Sequence, residues 1–218
     1  MGSPVLILGK SGGGKSASLR NYPEDLYSLI EVDGKDLPFK STKRFVTTDS
    51  YQKIETLLKE AKSNSIVIDD SQYLMANEFM RRSKETGYQK FTDIGTSFFN
   101  LLNLIKSLPK EKIVYFLHHE DIDQYGNVTA KTIGKMLDNT VTMEGKFTIV
   151  LRAMYRDFDK DYVFSTKTNG HDTTKTPIGL FDDEFIDNDL YVVDQKIREY
   201  YGIAAKAKTE VKNENSLV

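Results

Sequence analysis

The chain has 218 residues, of which 39% are hydrophobic and 28% charged, with a formal net charge of -2 and no cysteine. These values predict one globular domain with a substantial core, and they exclude disulfides, thiolate metal sites and a constitutive polyanion binder. We expect a cytoplasmic protein without a membrane partner, since no run approaches the roughly 20 apolar residues that span a bilayer.

The first predicted element is a short apolar run, residues 5–8, that is typical of a buried strand. It leads into the glycine loop, residues 9–16, whose sequence GKSGGGKS matches the phosphate-binding pattern G-x-x-x-x-G-K-[ST]. A helix predicted over residues 15–21 follows, limited by Pro23. Strand, loop and helix start therefore follow one another in the order that a phosphate-binding loop requires.

The residue types of the glycine loop suit a nucleotide. Glycines let backbone N–H groups approach an anion, and the N-terminus of the following helix adds unpaired N–H groups. Lys15 would reach the β- and γ-phosphates, and the Ser16 hydroxyl would bind Mg²⁺. A dinucleotide fingerprint fits less well, because no glycine lies three residues after Gly14. The predicted nucleotide-binding residues are Gly9, Lys10, Ser11, Gly12, Gly13, Gly14, Lys15, Ser16 and Ala17.

Strands and helices alternate as far as residue 117. Strands are predicted over residues 27–32, 45–47, 65–70 and 113–117. Helices are predicted after a cap at Asp49 or Ser50, over residues 73–84, and from a break at residues 87–90 to Pro109. This alternation predicts an α/β fold with a mostly parallel sheet flanked by helices.

The last third of the chain has a different pattern. Short β segments are predicted over residues 127–132, 147–155 and 162–166, the last two as an antiparallel pair. A polar loop over residues 168–177 and a final helix over residues 195–201 follow. We expect residues 1–203 to form a single domain and residues 204–218 to be a disordered polar tail.

Acidic side chains end two predicted strands. Asp69 and Asp70 follow an apolar strand, where P-loop proteins place the aspartate that holds Mg²⁺. We assign the metal to Asp69 and a role as base or supporting group to Asp70, with capping of the next helix by one of them as the alternative. Glu31 and Asp33 end the second strand, which lies beside the loop strand in many such sheets, and either can polarise water. A turn acid or a solvated side chain explains each equally well.

Histidines and cations complete the set of candidates. His118 and His119 end the next strand; adjacent strand residues point to opposite faces. We therefore expect one, assigned as His118, to sense the γ-phosphate and the other to be packed or exposed. Candidates for stabilising charge in the transition state, each otherwise a surface charge, are Lys131, Lys135, Arg152 and Arg156.

Five strings together resemble a known family: ILGKSGGGKS, IEVDGKDLPFK, IVIDDSQYLMANEFMRR, YFLHHED and KTIGKMLDN. They are similar to the phage-encoded, RecA-like P-loop ATPases, core-only relatives of RecA that include single-strand annealing recombinases. The resemblance covers about residues 5–201. It implies a RecA-type core that binds ATP and Mg²⁺ and acts on single-stranded DNA in recombination, annealing or replication. It further implies a homo-oligomer in the host cytoplasm, with a phage or host single-strand-binding protein as a further partner.

By position, the resemblance assigns Asp33 as the water-activating carboxylate, Asp69 or Asp70 as the metal acid and His118 or His119 as the sensor. The family typically has glutamate where Asp33 is placed, a longer side chain than this aspartate.

A DNA contact is predicted where cations and aromatic residues mix, because such surfaces track a backbone and stack bases. The candidates are Arg81, Arg82, Lys84, Tyr88, Lys90 and Phe91, with the loop of His171 and Lys175 as a second site. An ordinary charged helix end with core aromatics is an equal alternative.

Two other functions compete with an ATPase that acts on DNA. One is a P-loop small-molecule kinase, although this chain lacks the Arg-x-x-x-Arg lid expected of such an enzyme. The other is a nucleotide-switched interaction protein.

Overall fold

A computed structural model describes residues 1–134, 142–158 and 160–204, which form an α/β fold. The first strands are β1 (Ser3–Gly9), β2 (Tyr27–Glu31), β3 (Val46–Thr47), β4 (Ser65–Asp69) and β5 (Ile113–Ile122). They are followed by β6 (Val128–Ala130), β7 (Ile149–Arg156), β8 (Asp161–Ser165) and β9 (Phe185–Asp187). The helices are α1 (Tyr51–Glu60), α2 (Tyr73–Arg81), α3 (Gln89–Ser107) and α4 (Leu190–Tyr200), with 3-10 turns at Ser16–Leu19 and Met143–Lys146.

The nine described strands form one mostly parallel sheet in the order β3-β2-β4-β5-β1-β7-β8-β9, with β6 paired to β5. The six strands from β3 to β7 in this order are parallel, and β8 and β9 continue the sheet antiparallel. This confirms the predicted parallel sheet with antiparallel additions in the last third of the chain.

The expectation that the second strand lies beside the loop strand is wrong. β1 pairs with β5 on one side and β7 on the other, so that β4 and β5 both separate it from β2. The physical reason is burial: Val5, Leu6 and Ile7 are fully buried on both faces of the sheet. A strand without a polar face is most stable in the centre of a parallel sheet, between two other apolar strands.

Alternating side chains of the strands build two cores. Leu6 and Leu8 of β1 face a cluster that includes residues of α1, α2 and α3. Val5 and Ile7 face the other side, where α4 and the first 3-10 turn pack. The two-residue period of a strand therefore gives each face its own helical layer and leaves the strand ends free to carry polar residues.

Several element boundaries differ from those predicted. Ser50, not Asp49, caps α1, with its side chain accepting a hydrogen bond from the Lys53 N–H. α2 ends at Arg81, before the predicted residue 84. α4 begins at Leu190, five residues earlier than predicted. The Asp189 carboxylate caps it by accepting hydrogen bonds from the N–H groups of Tyr191 and Val192.

The predicted helix over residues 15–21 is a single 3-10 turn of four residues. Ser18 turns its hydroxyl back onto the Lys15 carbonyl, and Pro23 cannot continue a helix. Any anion at the glycine loop would therefore meet backbone N–H groups and side chains rather than the dipole of a long helix.

β5 is longer than predicted, and both histidines lie inside it. The register pairs Gly9 with His119, where the parallel part of the sheet ends. Beyond this point Glu120, Asp121 and Ile122 pair with β6 as an antiparallel hairpin. The polar end of the strand persists because another strand satisfies its backbone.

Two predictions fall outside the described residues: the tail, apart from Ala204, and the candidate Lys135. Across the ranges that the structure does describe, every helix is too short or too polar to cross a membrane.

Candidate nucleotide-binding site

A cavity of about 310 Å³ opens at the carboxyl ends of the parallel strands, the edge where open α/β sheets bind ligands. This strand-end cavity brings together parts of five elements that are far apart in sequence. It is lined by Ser11, Gly12, Gly14, Lys15, Ser16, Ala17, Glu31, Lys35, Asp36, Pro38, Asp69, Asp70, His119 and Tyr162.

The glycine loop has a backbone that only glycine adopts easily. Gly12 and Gly14 have φ angles of 73° and 95°. A Cβ atom at Gly14 would also lie 2.7 Å from Cδ1 of the Tyr162 ring, which packs against the loop from β8. Both glycines are thus required by the turn, and Gly14 is required also by the close approach of the aromatic ring.

Lys15 is folded onto its own loop and is almost completely buried. Its Nζ donates to the carbonyl oxygens of Gly9 at 2.9 Å and Lys10 at 3.0 Å. Burial lowers the pKa of the amine, and the nearby Asp70 and Asp69 carboxylates oppose this effect. The cation therefore lies between carbonyl oxygens and the acidic side of the cavity.

The side chains of Asp69 and Ser16 are hydrogen-bonded to each other beside the glycine loop. Burial raises the pKa of the Asp69 carboxyl to about 6, although a hydrogen bond with the Ser16 side chain opposes this shift. Within the described chain, no group of three or more His, Asp or Glu side chains could hold a metal alone. A hydroxyl with one carboxylate does suit Mg²⁺, which keeps several waters and takes its other ligands from phosphate.

Asp70 points to different partners from Asp69. Its φ angle of 54° turns the chain sharply at the end of β4. The carboxylate accepts from Lys35 Nζ at 2.8 Å and lies 3.2 Å from His119 Nε2. Burial alone would raise its pKa, but the hydrogen bonds from His119 and Lys35 outweigh burial and lower it to about 2.

Glu31, rather than Asp33, is the carboxyl group that lines the cavity at the end of β2. Glu31 lies opposite Asp69 in the β2–β4 register, and its Oε1 is buried without a hydrogen-bond partner. Burial and the charges of Asp69 and Asp70 raise its pKa to about 8. Asp33 lies at the rim, one-third exposed and 2.9 Å from Lys35 Nζ.

One histidine is packed and the other lines the cavity, but the assignment of His118 as the residue at the phosphate is wrong: His119 lines the cavity, because side chains alternate along β5 and His118 points to the opposite face. His118 is fully buried: its Nε2 lies 2.7 Å from the Lys131 carbonyl and its Nδ1 2.9 Å from the Ser71 hydroxyl. Because a carbonyl only accepts, Nε2 must carry the hydrogen. Burial lowers the pKa of His118 to about 4, so the ring is neutral at physiological pH.

The three predicted transition-state cations that the structure describes, Lys131, Arg152 and Arg156, do not line the strand-end cavity. Arg152 forms two hydrogen bonds to Glu120, at 2.8 Å and 2.9 Å, and Arg156 lies over the Phe185 ring. Lys131 lies on the far side of His119, beside a separate smaller cavity. Lys35, which sequence reasoning missed, is the second lysine of the strand-end cavity; its only sequence signal is its place four residues after Glu31.

The predicted DNA patch is mostly a junction between α2 and α3. Arg81 pairs with Asp49, and Arg82 contacts Glu78, Glu85 and Asp93. Lys90 is buried and donates to the Glu85 carbonyl, while Phe91 stacks on Phe79 with ring centroids 5.5 Å apart. Tyr88 is 88% exposed. In the second candidate loop, the backbones of His171 and Lys175 are hydrogen-bonded to Val128 and Val150.

No family model matches the chain, and none of the curated proteins matches it. The residues of the strand-end cavity are therefore the basis for assigning a ligand and a reaction.

Proposed function

We propose that the protein is a P-loop ATPase with a RecA-like core that binds ATP and Mg²⁺ in the strand-end cavity and hydrolyses ATP. The observation that carries this proposal is the convergence, in one cavity, of the glycine loop with Lys15, the Ser16–Asp69 pair and the buried carboxyl of Glu31.

Phosphate binding is assigned to the glycine loop and Lys15. The Lys15 ammonium now contacts two backbone carbonyls, which are weaker partners than the charged oxygens of a triphosphate. Its side chain needs only to leave these carbonyls to contact the β- and γ-phosphates. Loop N–H groups supply the remaining donors.

The Ser16 hydroxyl and the Asp69 carboxylate would hold Mg²⁺, which supplies charge neutralisation at the β- and γ-phosphate oxygens when bound. The buried position of Asp69 favours this assignment, because a carboxylate whose pKa is raised by burial is stabilised by a cation.

Glu31, in the ionised form that predominates above its pKa of about 8, is assigned as the group that orients water and accepts its proton. Its free oxygen faces no protein donor, and it lies opposite the metal candidate Asp69. The resembled family typically has a glutamate at the end of its second strand, and Glu31 would take that place. Asp33 is the weaker candidate, since Lys35 already neutralises it at the rim.

Steady-state ATP hydrolysis tests this assignment. We expect Lys15→Ala to abolish nucleotide binding or turnover, because Lys15 is the lysine that the phosphate-binding pattern places on the β- and γ-phosphates. Wild-type rates in Lys15→Ala would overturn the whole proposal.

Two further variants separate the candidate bases. Glu31→Gln should still bind ATP but lose turnover by about 10²-fold or more, whereas Asp33→Asn should stay within a few-fold of wild type. The reverse pattern would transfer the role of base to Asp33.

We further propose action on single-stranded DNA as a homo-oligomer, which rests on the resemblance of the five sequence strings. Measuring ATPase activity with and without single-stranded DNA tests it, and marked stimulation is the expected result. Turnover that requires a small-molecule acceptor would indicate a kinase, and slow turnover indifferent to DNA would indicate a nucleotide switch.

A further inference from the structure

Lys35, in the loop after β2, holds a positive charge at the mouth of the strand-end cavity. Its Nζ lies 2.8 Å from Asp70 Oδ2 and 2.9 Å from Asp33 Oδ2. The same ammonium lies 4.7 Å from the centre of the Tyr73 ring. The side chain is 54% exposed, so the core does not depend on its packing.

The backbone of Lys35 is also held at the mouth of the cavity. The Lys35 N–H is a hydrogen-bond partner of the Glu31 carboxyl, the group assigned to water activation. Lys35 and Lys15 both line the strand-end cavity, so the two cations flank a common space. One cation approaches this space from the glycine loop and the other from the loop after β2.

The charge balance of the cavity leaves a need for this second cation. Among the residues that the structure describes, the cavity lining includes four carboxyl groups but two lysines, Lys15 and Lys35. A triphosphate adds further negative charge, and phosphoryl transfer spreads it over the oxygens of the transferred group. The described cations proposed from sequence, Lys131, Arg152 and Arg156, do not line the cavity.

We propose that Lys35 is a catalytic cation, which exchanges its contacts with Asp70 and Asp33 for the γ-phosphate oxygens when ATP binds. The inference rests on the proposed ATPase function. In the reaction, the water oxygen bonds to the γ-phosphorus while the bond from that phosphorus to the β,γ-bridging oxygen breaks. ADP leaves with the electron pair, the water proton passes to the Glu31 carboxylate, and Lys35 stabilises charge on the transferred oxygens.

A purely structural role is the competing explanation, in which Lys35 only neutralises Asp70. The two roles differ in their ligand dependence. A cation at the γ-phosphate favours the triphosphate over the diphosphate, whereas a partner of Asp70 affects both nucleotides alike. The two roles also differ in whether a second substitution restores activity to a variant without the Lys35 charge. Asp70→Asn removes the need for neutralisation but cannot replace a cation at the phosphate.

The experiment compares Lys35→Met with wild type in the full chain with Mg²⁺, using kcat and the equilibrium affinities for ATP and ADP. We expect kcat to fall by about 10²-fold and ATP affinity by about tenfold, with ADP affinity unchanged. Lys40→Met is the matched control, since this exposed lysine of the same connection lies outside the cavity and should leave all three values unchanged. Lys35→Arg, which keeps the charge, should recover part of kcat.

Three results would overturn the role of Lys35: kcat within about threefold of wild type in Lys35→Met, equal losses of ATP and ADP affinity, or recovery of kcat in Lys35→Met/Asp70→Asn. A different variant, Lys15→Ala, tests the ATPase proposal itself. Wild-type turnover in Lys15→Ala overturns the phosphate site and this inference with it, whereas an inactive Lys15→Ala beside a fully active Lys35→Met overturns Lys35 alone.

Discussion

The pKa values of two neighbouring aspartates of the cavity are shifted in opposite directions, because the two carboxyl groups have different contacts. Burial raises the pKa of Asp69 to about 6, since its hydrogen bonds do not compensate for lost hydration. Asp70 has a pKa near 2 because His119 and Lys35 outweigh its burial. The positive φ of Asp70 directs it away from Asp69. Asp69 is thus hydrogen-bonded to neutral donors, the Asp70 N–H and the Ser16 hydroxyl, whereas Asp70 already has the cationic partner Lys35.

Glu31 is the residue for which function and stability conflict most clearly. Its folded-state pKa of about 8 exceeds the ordinary value of 4.5, so the folded protein retains this proton more tightly than the unfolded chain. The resulting stability is fully present below about pH 4.5 and is lost as the pH rises through 8.

We therefore expect Glu31→Gln to stabilise the protein at pH 9 by about 1–3 kcal/mol, because it removes a buried carboxylate without a partner on one oxygen. Urea unfolding at pH 6 and pH 9 measures this difference, which should grow with pH. A variant that is destabilised equally at both values would contradict the raised pKa. Asp33→Asn, at the exposed rim, is the control and should show little pH-dependent change.

At the scale of elements, β5 sorts two adjacent histidines into different environments. His118 faces the helical layer and packs against Phe98 of α3, whereas His119 reaches Asp70 and the edge of Tyr73. The strand period explains the separation. The sequence predicted one sensor and one packed residue and assigned the sensor to His118, which is wrong, because the packing of the sheet decides which histidine faces α3.

Substituting each histidine should separate stability from activity. His118→Ala should cost about 2–4 kcal/mol of unfolding free energy, since it leaves a cavity and removes two buried hydrogen bonds. His119→Ala should cost less than about 1 kcal/mol but lower kcat by roughly tenfold to a hundredfold. Chemical unfolding and ATPase assays on both variants test this, and loss of turnover without loss of stability in His118→Ala would contradict it.

At the scale of the whole molecule, a buried polar cluster fixes α4 to the edge of the sheet opposite the strand-end cavity. Asp194 accepts from Arg198 Nε at 2.7 Å, the Tyr115 hydroxyl at 2.7 Å and the Ser65 hydroxyl at 2.9 Å. Arg198 also donates to the Glu111 carbonyl. One ion pair therefore connects α4 with β4, β5 and the turn that precedes β5.

Breaking this cluster should destabilise the fold without changing the residues that line the strand-end cavity. Asp194→Ala should cost about 3–5 kcal/mol, because it leaves the buried Arg198 charge unpaired. The exposed pair of Lys196 and Glu199 on the same helix is the control, and Glu199→Ala should cost less than about 1 kcal/mol. Thermal or urea unfolding checks both values; equal effects would show that burial does not determine the strength of these pairs.

The sequence predicted most of the elements because their signals are local. The apolar runs of β1, β4 and β5 predict buried strands, and their alternation with helical periods predicts the parallel sheet. β9 and the first turn of α4 were missed, because three-residue strands and capped helix starts leave short patterns. The helix after the glycine loop was predicted too long, since Ser18 competes for its backbone.

By itself, the sequence determined a glycine loop after a buried strand, acids at the ends of two further strands and histidines on a third, because motifs and periodicity depend on neighbouring residues. Tertiary structure alone decided that β5 separates β1 from β4, that Glu31 rather than Asp33 lines the cavity and that Lys35 reaches Asp70. Strand order, burial and side-chain contacts arise from packing between distant segments. The roles of these acids and lysines therefore depend on the folded sheet.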